Sequence, residues 1–171
     1  MKVHRVLLVI VFMLLTANVF SQFAPSVKIN TEIPIDGEKN FCFGTQIVCG
    51  YRFNPTLLVG LGTGISYINL QYGRGYTETG AYVPLFATGK CNFIKKGISP
   101  YIAIDFGYSF LIPFSEYARK YGDMGIFINP HFGVDFPLSK GSLSVELGYK
   151  YQAMNEQRNY NQLTIALAYN F

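Results

Sequence analysis

The chain has 171 residues, a length that fits one domain; half are apolar, 16% aromatic and only 14% charged. Soluble domains carry roughly a quarter charged residues, so the balance departs from theirs, while 17 Gly, 13 Tyr and 15 Phe favour strands over helices. The formal charge of +4 falls to +2 without the basic Lys2 and Arg5 of the N-terminal segment, which excludes the strongly basic balance of a nucleic-acid-binding protein.

Residues 1–21 read as an export signal. Lys2, His4 and Arg5 form a basic start, Val6 to Leu15 is an unbroken apolar run, and Val19 and Ser21 fit the small-residue pattern before a cleavage point. The run is shorter than the roughly 20 residues of a membrane-spanning helix, and no Cys follows the cut to carry a lipid anchor. The mature chain is then one domain, 22–171.

From there the chain repeats one unit, a segment of alternating character followed by turn residues. Eight such segments are expected, at about 26–35, 41–53, 56–69, 80–93, 100–110, 124–136, 143–152 and 162–171. The first sets Val27, Ile29, Ile33 and Ile35 against Lys28, Asn30 and Glu32. The second sets Phe43, Ile47, Tyr51 and Phe53 against Gln46, Gly50 and Arg52, and the third Leu57, Val59, Leu61, Ile65 and Tyr67 against Gly60, Gly62, Gly64 and Ser66. In the fourth, Val83, Leu85, Ala87 and Phe93 oppose Tyr82, Thr88, Lys90 and Asn92. In the fifth, Ile102, Ile104, Phe106, Tyr108 and Phe110 oppose Tyr101, Ala103, Asp105, Gly107 and Ser109. The sixth sets Ile126, Ile128, Phe132 and Val134 against Phe127, Asn129, His131 and Asp135. The seventh sets Leu143, Val145, Leu147, Tyr149 and Tyr151 against Ser144, Glu146, Gly148, Lys150 and Gln152. The eighth sets Leu163, Ile165, Leu167, Tyr169 and Phe171 against Thr164, Ala166, Ala168 and Asn170.

One face is bulky, apolar and aromatic; the other mixes Gly, Ala and Ser with the ionisable residues. A narrow barrel has little room inside, whereas a wall in contact with lipid suits Leu, Ile, Phe and Tyr. The pattern therefore predicts an all-β, eight-stranded, antiparallel up-and-down transmembrane β-barrel with its bulky face outward. The enclosed face would hold an ion network of Lys28, Glu32, Arg52, Lys90, Asp105, His131, Asp135, Glu146 and Lys150. Apart from the histidine these are four basic and four acidic groups, a balance that allows pairing in a low-dielectric interior and predicts a closed barrel with no open pore. The rival arrangement, in which this face meets water, would make the chain a soluble barrel.

The connections alternate in length. Asn54–Pro55, Lys95–Gly97 and Pro137–Gly141 are short; Gln71–Gly80, Leu111–Asp123 and Ala153–Asn161 are longer and polar. Short turns on the periplasmic side and longer loops outside are the outer-membrane pattern. Aromatic girdles at the two headgroup levels would comprise Tyr51, Phe53, Phe93, Phe136, Tyr169 and Phe171 at one end and Phe43, Tyr67, Tyr108, Phe110 and Tyr151 at the other. The loop containing Tyr72, Arg74 and Tyr76 is a candidate surface contact.

Three sequences sharpen the expectation. The amphipathic segment Leu163-Thr-Ile-Ala-Leu-Ala-Tyr-Asn-Phe171 resembles the final strand of bacterial outer-membrane barrels, with Tyr169 and Phe171 in the place of the insertion signal read by the barrel-assembly machinery. Tyr82-Val-Pro-Leu-Phe-Ala-Thr-Gly-Lys90 and Ser99-Pro-Tyr-Ile-Ala-Ile-Asp-Phe-Gly107 resemble segments of the outer-membrane β-barrel domain family, and Phe20-Ser-Gln22 is similar to the end of its export signals. The resemblance, to small eight-stranded barrels of the outer membrane protein A and X type, spans most of 22–171. It implies residence in the outer membrane of a Gram-negative bacterium. The implied partners are outer-membrane lipid, the assembly machinery and an extracellular protein or other surface partner, with no nucleic acid, no cofactor and no catalytic residues.

Chemistry is sparse. His131 is the sole histidine after residue 21 and shares a face with Asp135, a pair that could orient a base for a Ser nucleophile. No Gly-x-Ser-x-Gly elbow accompanies it, so a structural, ion-paired histidine is expected. Gly60, Gly62 and Gly64 lack the Lys-Ser/Thr that completes a phosphate loop and instead make space inside a narrow barrel. Cys42 and Cys49 lie seven apart on one strand, facing opposite sides and separated by about 23 Å. Cys49 and Cys91 belong to non-adjacent strands. Free thiols are expected, with no metal-ligand spacing. The favoured expectation is a non-enzymatic membrane barrel serving envelope structure or surface interaction. Its rivals are a passive small-solute channel, a soluble lipocalin-like carrier, which would ordinarily bring a Trp and a C-terminal helix, and a lipid-modifying enzyme.

Overall fold

The computed structural model describes residues 22–35, 41–72, 76–114, 124–154 and 159–171. The expected export signal and the loop residue Arg74 lie outside them. Eight strands follow in chain order: β1 (Phe23–Pro34), β2 (Phe41–Arg52), β3 (Leu57–Tyr72), β4 (Tyr76–Asn92), β5 (Ser99–Pro113), β6 (Met124–Pro137), β7 (Ser142–Met154) and β8 (Asn159–Asn170). Each pairs antiparallel with the next, and β8 returns to β1 with a register running from Ser26 opposite Asn170 to Pro34 opposite Gln162. Closure leaves no sheet edge along that wall.

The strands run further than the alternation predicts at one end. The expected loop at Gln71–Gly80 is largely a hairpin, its pairs continuing from Asn69 opposite Thr79 to Tyr72 opposite Tyr76. Tyr and Thr favour the extended backbone, so this polar stretch propagates the ladder. Likewise β5 continues to Pro113, β7 to Met154, and β8 begins at Asn159, shortening the other two expected loops. The opposite end is closed by three tight turns, over residues 53–56, 93–98 and 138–141. In the first, Asn54 Oδ1 accepts hydrogen bonds from the Thr56 and Leu57 amides at 2.9 and 2.8 Å, the side chain standing in for a backbone turn. Gly97 and Gly141 supply the positive φ (85° and 84°) that the other two require.

The faces separate as expected. Leu61 (68% exposed), Leu85, Phe106, Phe132 (58%) and Leu167 point outward from β3, β4, β5, β6 and β8, whereas Lys28, Glu32, Asp105, Glu146 and Lys150 point inward and are buried. Aromatic pairs on the outer face mark the two ends: Tyr51–Phe53 and Tyr169–Phe171, edge to face at the short-turn end with centroids 4.8 Å apart, and Tyr108–Phe110, tilted at 4.9 Å, towards the other.

Small residues do not fill the interior alone. Eight strands enclose a bore just wide enough for side chains, and here Tyr82, Phe86, Tyr101 and Phe127 occupy much of it. Glycines opposite them make this fit. A Cβ on Gly62 would lie 2.3 Å from the Phe86 ring, and one on Gly133 would lie 2.5 Å from the Tyr101 ring. Val48, Phe86 and Phe127 form one apolar cluster across the bore, and Cys42, Ile68, Tyr82 and Tyr160 another nearer the long-strand end.

Candidate functional site

Among the described residues, chemistry-bearing side chains converge in the polar interior, which is built in three tiers. Nearest the short turns, Lys90 Nζ contacts both Asp135 oxygens at 2.8 Å. Asn92 Nδ2 donates to Asp135 Oδ2 at 2.7 Å and Ser144 Oγ to Oδ1 at 2.5 Å, so the carboxylate is fully occupied. The Lys90 ammonium also stands 3.7 Å from the centroid of the Tyr101 ring, a cation–π contact.

The middle tier centres on Glu146. Lys28 Nζ meets its Oε2 at 2.6 Å and Tyr101 donates its hydroxyl to Oε1 at 2.8 Å. Lys28 also lies 4.0 Å from Asp105 Oδ2. His131 sits between the two carboxylates, its Nδ1 3.7 Å from Asp105 and its Nε2 3.7 Å from Glu146. Its Nδ1 is also 3.1 Å from the Asn129 carbonyl oxygen; a carbonyl only accepts, so that contact puts a hydrogen on Nδ1.

In the third tier Lys150 donates to both oxygens of Glu32 at 3.0 and 3.1 Å and to the Tyr82 hydroxyl at 3.0 Å. Tyr82 in turn donates to Glu32 Oε1 at 2.6 Å. Glu32 and Lys150 are 2% and 3% exposed. A void of about 20 Å³ remains between the tiers, bordered by Lys28, Asn30, Glu32, Asp105, Glu146 and Lys150 among others, room for about one water molecule. Asn30 Oδ1 and Asp105 Oδ1 are buried there without a protein donor.

Eight of the nine expected network residues are thus inside and paired. Arg52 is the exception: it ends β2, stands exposed at the short-turn rim, and makes no ion pair among the described residues. Its position beyond the enclosed part of the wall lets the guanidinium stay in water. The enclosed set is therefore three lysines and His131 against four carboxylates. The expected His131–Asp135 proximity is also corrected. Four residues along one strand span about 13 Å, and Asp135 belongs to Lys90, while His131 faces Asp105 of the neighbouring β5. Tyr82 and Tyr101 stood on the correct face in the sequence; their hydroxyls complete the two inner carboxylate sites, which only the register between distant strands reveals.

The three cysteines are free. Cys42 is enclosed, its sulfur 3.6 Å from the donating Gln162 amide, whereas Cys49 is exposed on the outer wall. A shallow apolar groove of about 670 Å³ crosses that wall beside Gly89, Ile102, Ile104, Pro130 and Phe132; a Cβ on Gly89 would meet open space, so the groove belongs to the apolar exterior.

No protein-family model matches the chain, and no curated protein matches it by sequence. Solved structures do. The outer membrane protein OprG of Pseudomonas aeruginosa is similar at 11% identity and a TM-score of 0.54, over 88% of this chain and 95% of that one. Neisserial surface protein A is similar at 14% identity and 0.54, over 86% and 94%. The outer membrane enzyme PagL is similar at 12% identity and 0.50, over 85% and 98%. At such identities the likeness reports backbone architecture, and it spans nearly the whole of each compared chain. With eight antiparallel strands closed on themselves, an apolar wall outside and paired charges within, this chain has the fold of the small eight-stranded outer-membrane β-barrels.

Proposed function

We propose that the protein is an integral, non-enzymatic barrel of a Gram-negative outer membrane, exported through its first 21 residues. Its interior is closed, and it serves envelope structure or surface interaction through the connections at its long-strand end. The observation that carries this reading is the inversion of faces: side chains as large as Leu61 and Phe132 are exposed while Lys150 and Glu32 are enclosed. In water that arrangement would expose far more contiguous apolar surface than a soluble monomer tolerates; in hydrocarbon it is the stable one. On the outer-membrane pattern the short turns face the periplasm and the long strands the exterior, and the even strand count then puts both barrel ends of the chain on the periplasmic side.

Closure rests on the three tiers, whose ion pairs and aromatic rings cross the bore and leave room for about one water. A non-catalytic reading is supported by the enclosure of His131, buried between Asp105 and Glu146, with no serine hydroxyl bonded to its ring among the described residues. PagL carries an enzyme on this fold, so architecture alone does not decide the matter. The test is cell fractionation with gel migration before and after boiling, followed by planar-bilayer recording. A heat-shifted outer-membrane band without steady conductance is expected. Aqueous partition without detergent, or a stable open current, would contradict it, as would a lipid-modifying activity lost in His131→Ala.

A further inference from the structure

The short-turn rim has a charge pattern that the interior network does not account for. Alternation of up and down strands brings the turns over 53–56, 93–98 and 138–141 to one end of the barrel. With the end of β2 they carry Arg52, Lys95, Lys96 and Lys140, all exposed, and none of the three turns contains an Asp or Glu. Asp135, the nearest carboxylate on β6, is turned inward and held by Lys90 and Asn92, so it does not neutralise them. Between these cations stand exposed apolar side chains: Phe53, Phe93, Ile94, Ile98 and Leu138. Cations interleaved with apolar groups suit the boundary between hydrocarbon and headgroups, where a basic cluster attracts anionic lipid. A soluble anion would match the charge but leave the apolar groups without a role.

We infer that this rim is a binding surface for anionic phospholipid headgroups of the adjoining leaflet, engaged through Arg52, Lys95, Lys96 and Lys140. The inference rests on the membrane-barrel reading, and its test separates the two. The full chain is folded into phosphatidylcholine vesicles containing trace spin-labelled phosphatidylglycerol or spin-labelled phosphatidylcholine, and the motionally restricted fraction of each label is compared. Heat-modifiable migration is checked in every sample. Wild type should restrict the anionic label several-fold more than the neutral one at low salt. That preference should shrink at high salt, be roughly halved in K95Q/K96Q and vanish in R52Q/K95Q/K96Q/K140Q. Equal restriction of the two labels by folded wild type would overturn the inference, as would a preference undiminished in K95Q/K96Q or one that survives in R52Q/K95Q/K96Q/K140Q. Abolition of the preference by millimolar inorganic phosphate would assign the site to free anions and overturn it too. Failure of wild type to give a heat-modifiable band would instead overturn the membrane-barrel reading beneath it.

Discussion

Truncating Lys150 to Met would leave the Glu32 carboxylate almost fully enclosed and without its cation, keeping the Tyr82 hydroxyl and the Asn30 amide as donors. Breaking a buried pair from one side costs about 3–5 kcal/mol, so Lys150→Met should lower the urea midpoint of unfolding from vesicles sharply. Adding Glu32→Gln should recover much of the loss, because the stranded charge is gone. The same logic gives the opposite forecast for Arg52. Exposed and outside the network, it should tolerate Arg52→Gln with a change within about 0.5 kcal/mol. Steric fit makes a second residue-scale prediction. Gly62→Val forces atoms into the Phe86 ring and should cut the yield of folded, heat-modifiable protein; pairing it with Phe86→Ala should restore that yield, the ring having been removed.

At the scale of the strand, two-residue periodicity carries the information. In β5, β7 and β8 every large outward residue named from the alternation, from Ile102 to Leu167, is exposed or half-buried in the structure. The faces were legible because a side chain's direction along a strand is a local property. Strand ends were less so: Gln71–Gly80 has the composition of a loop but the β propensity of a hairpin, and pairing decides between them. Partners across the bore were not legible at all. Lys150 and Glu32 are 118 residues apart in sequence, and which strands face each other depends on the stagger with which the sheet closes. Hence the set of enclosed charges was readable but for Arg52, while the partner of His131, Asp105 in place of the expected Asp135, was not. Leu147, near the middle of β7, tests the element directly. Leu147→Arg should cost about 2–4 kcal/mol as a lipid-facing cation near the midplane, measured by the same vesicle unfolding.

For the whole molecule, closure and facing act together. A sheet with this outer wall would aggregate in water, and these interior charges could not stay enclosed without one another. The membrane and the ion-paired core are therefore mutual requirements of one fold. The most direct test is a nitroxide scan along β7, from position 143 to position 147, reading collisions with lipid-soluble oxygen and with a water-soluble nickel chelate in folded vesicle samples. The account predicts strict alternation, with oxygen contact at 143, 145 and 147 and low access to either reagent at 144 and 146. Chelate access at 145 and 147, or the absence of a two-residue period, would contradict it.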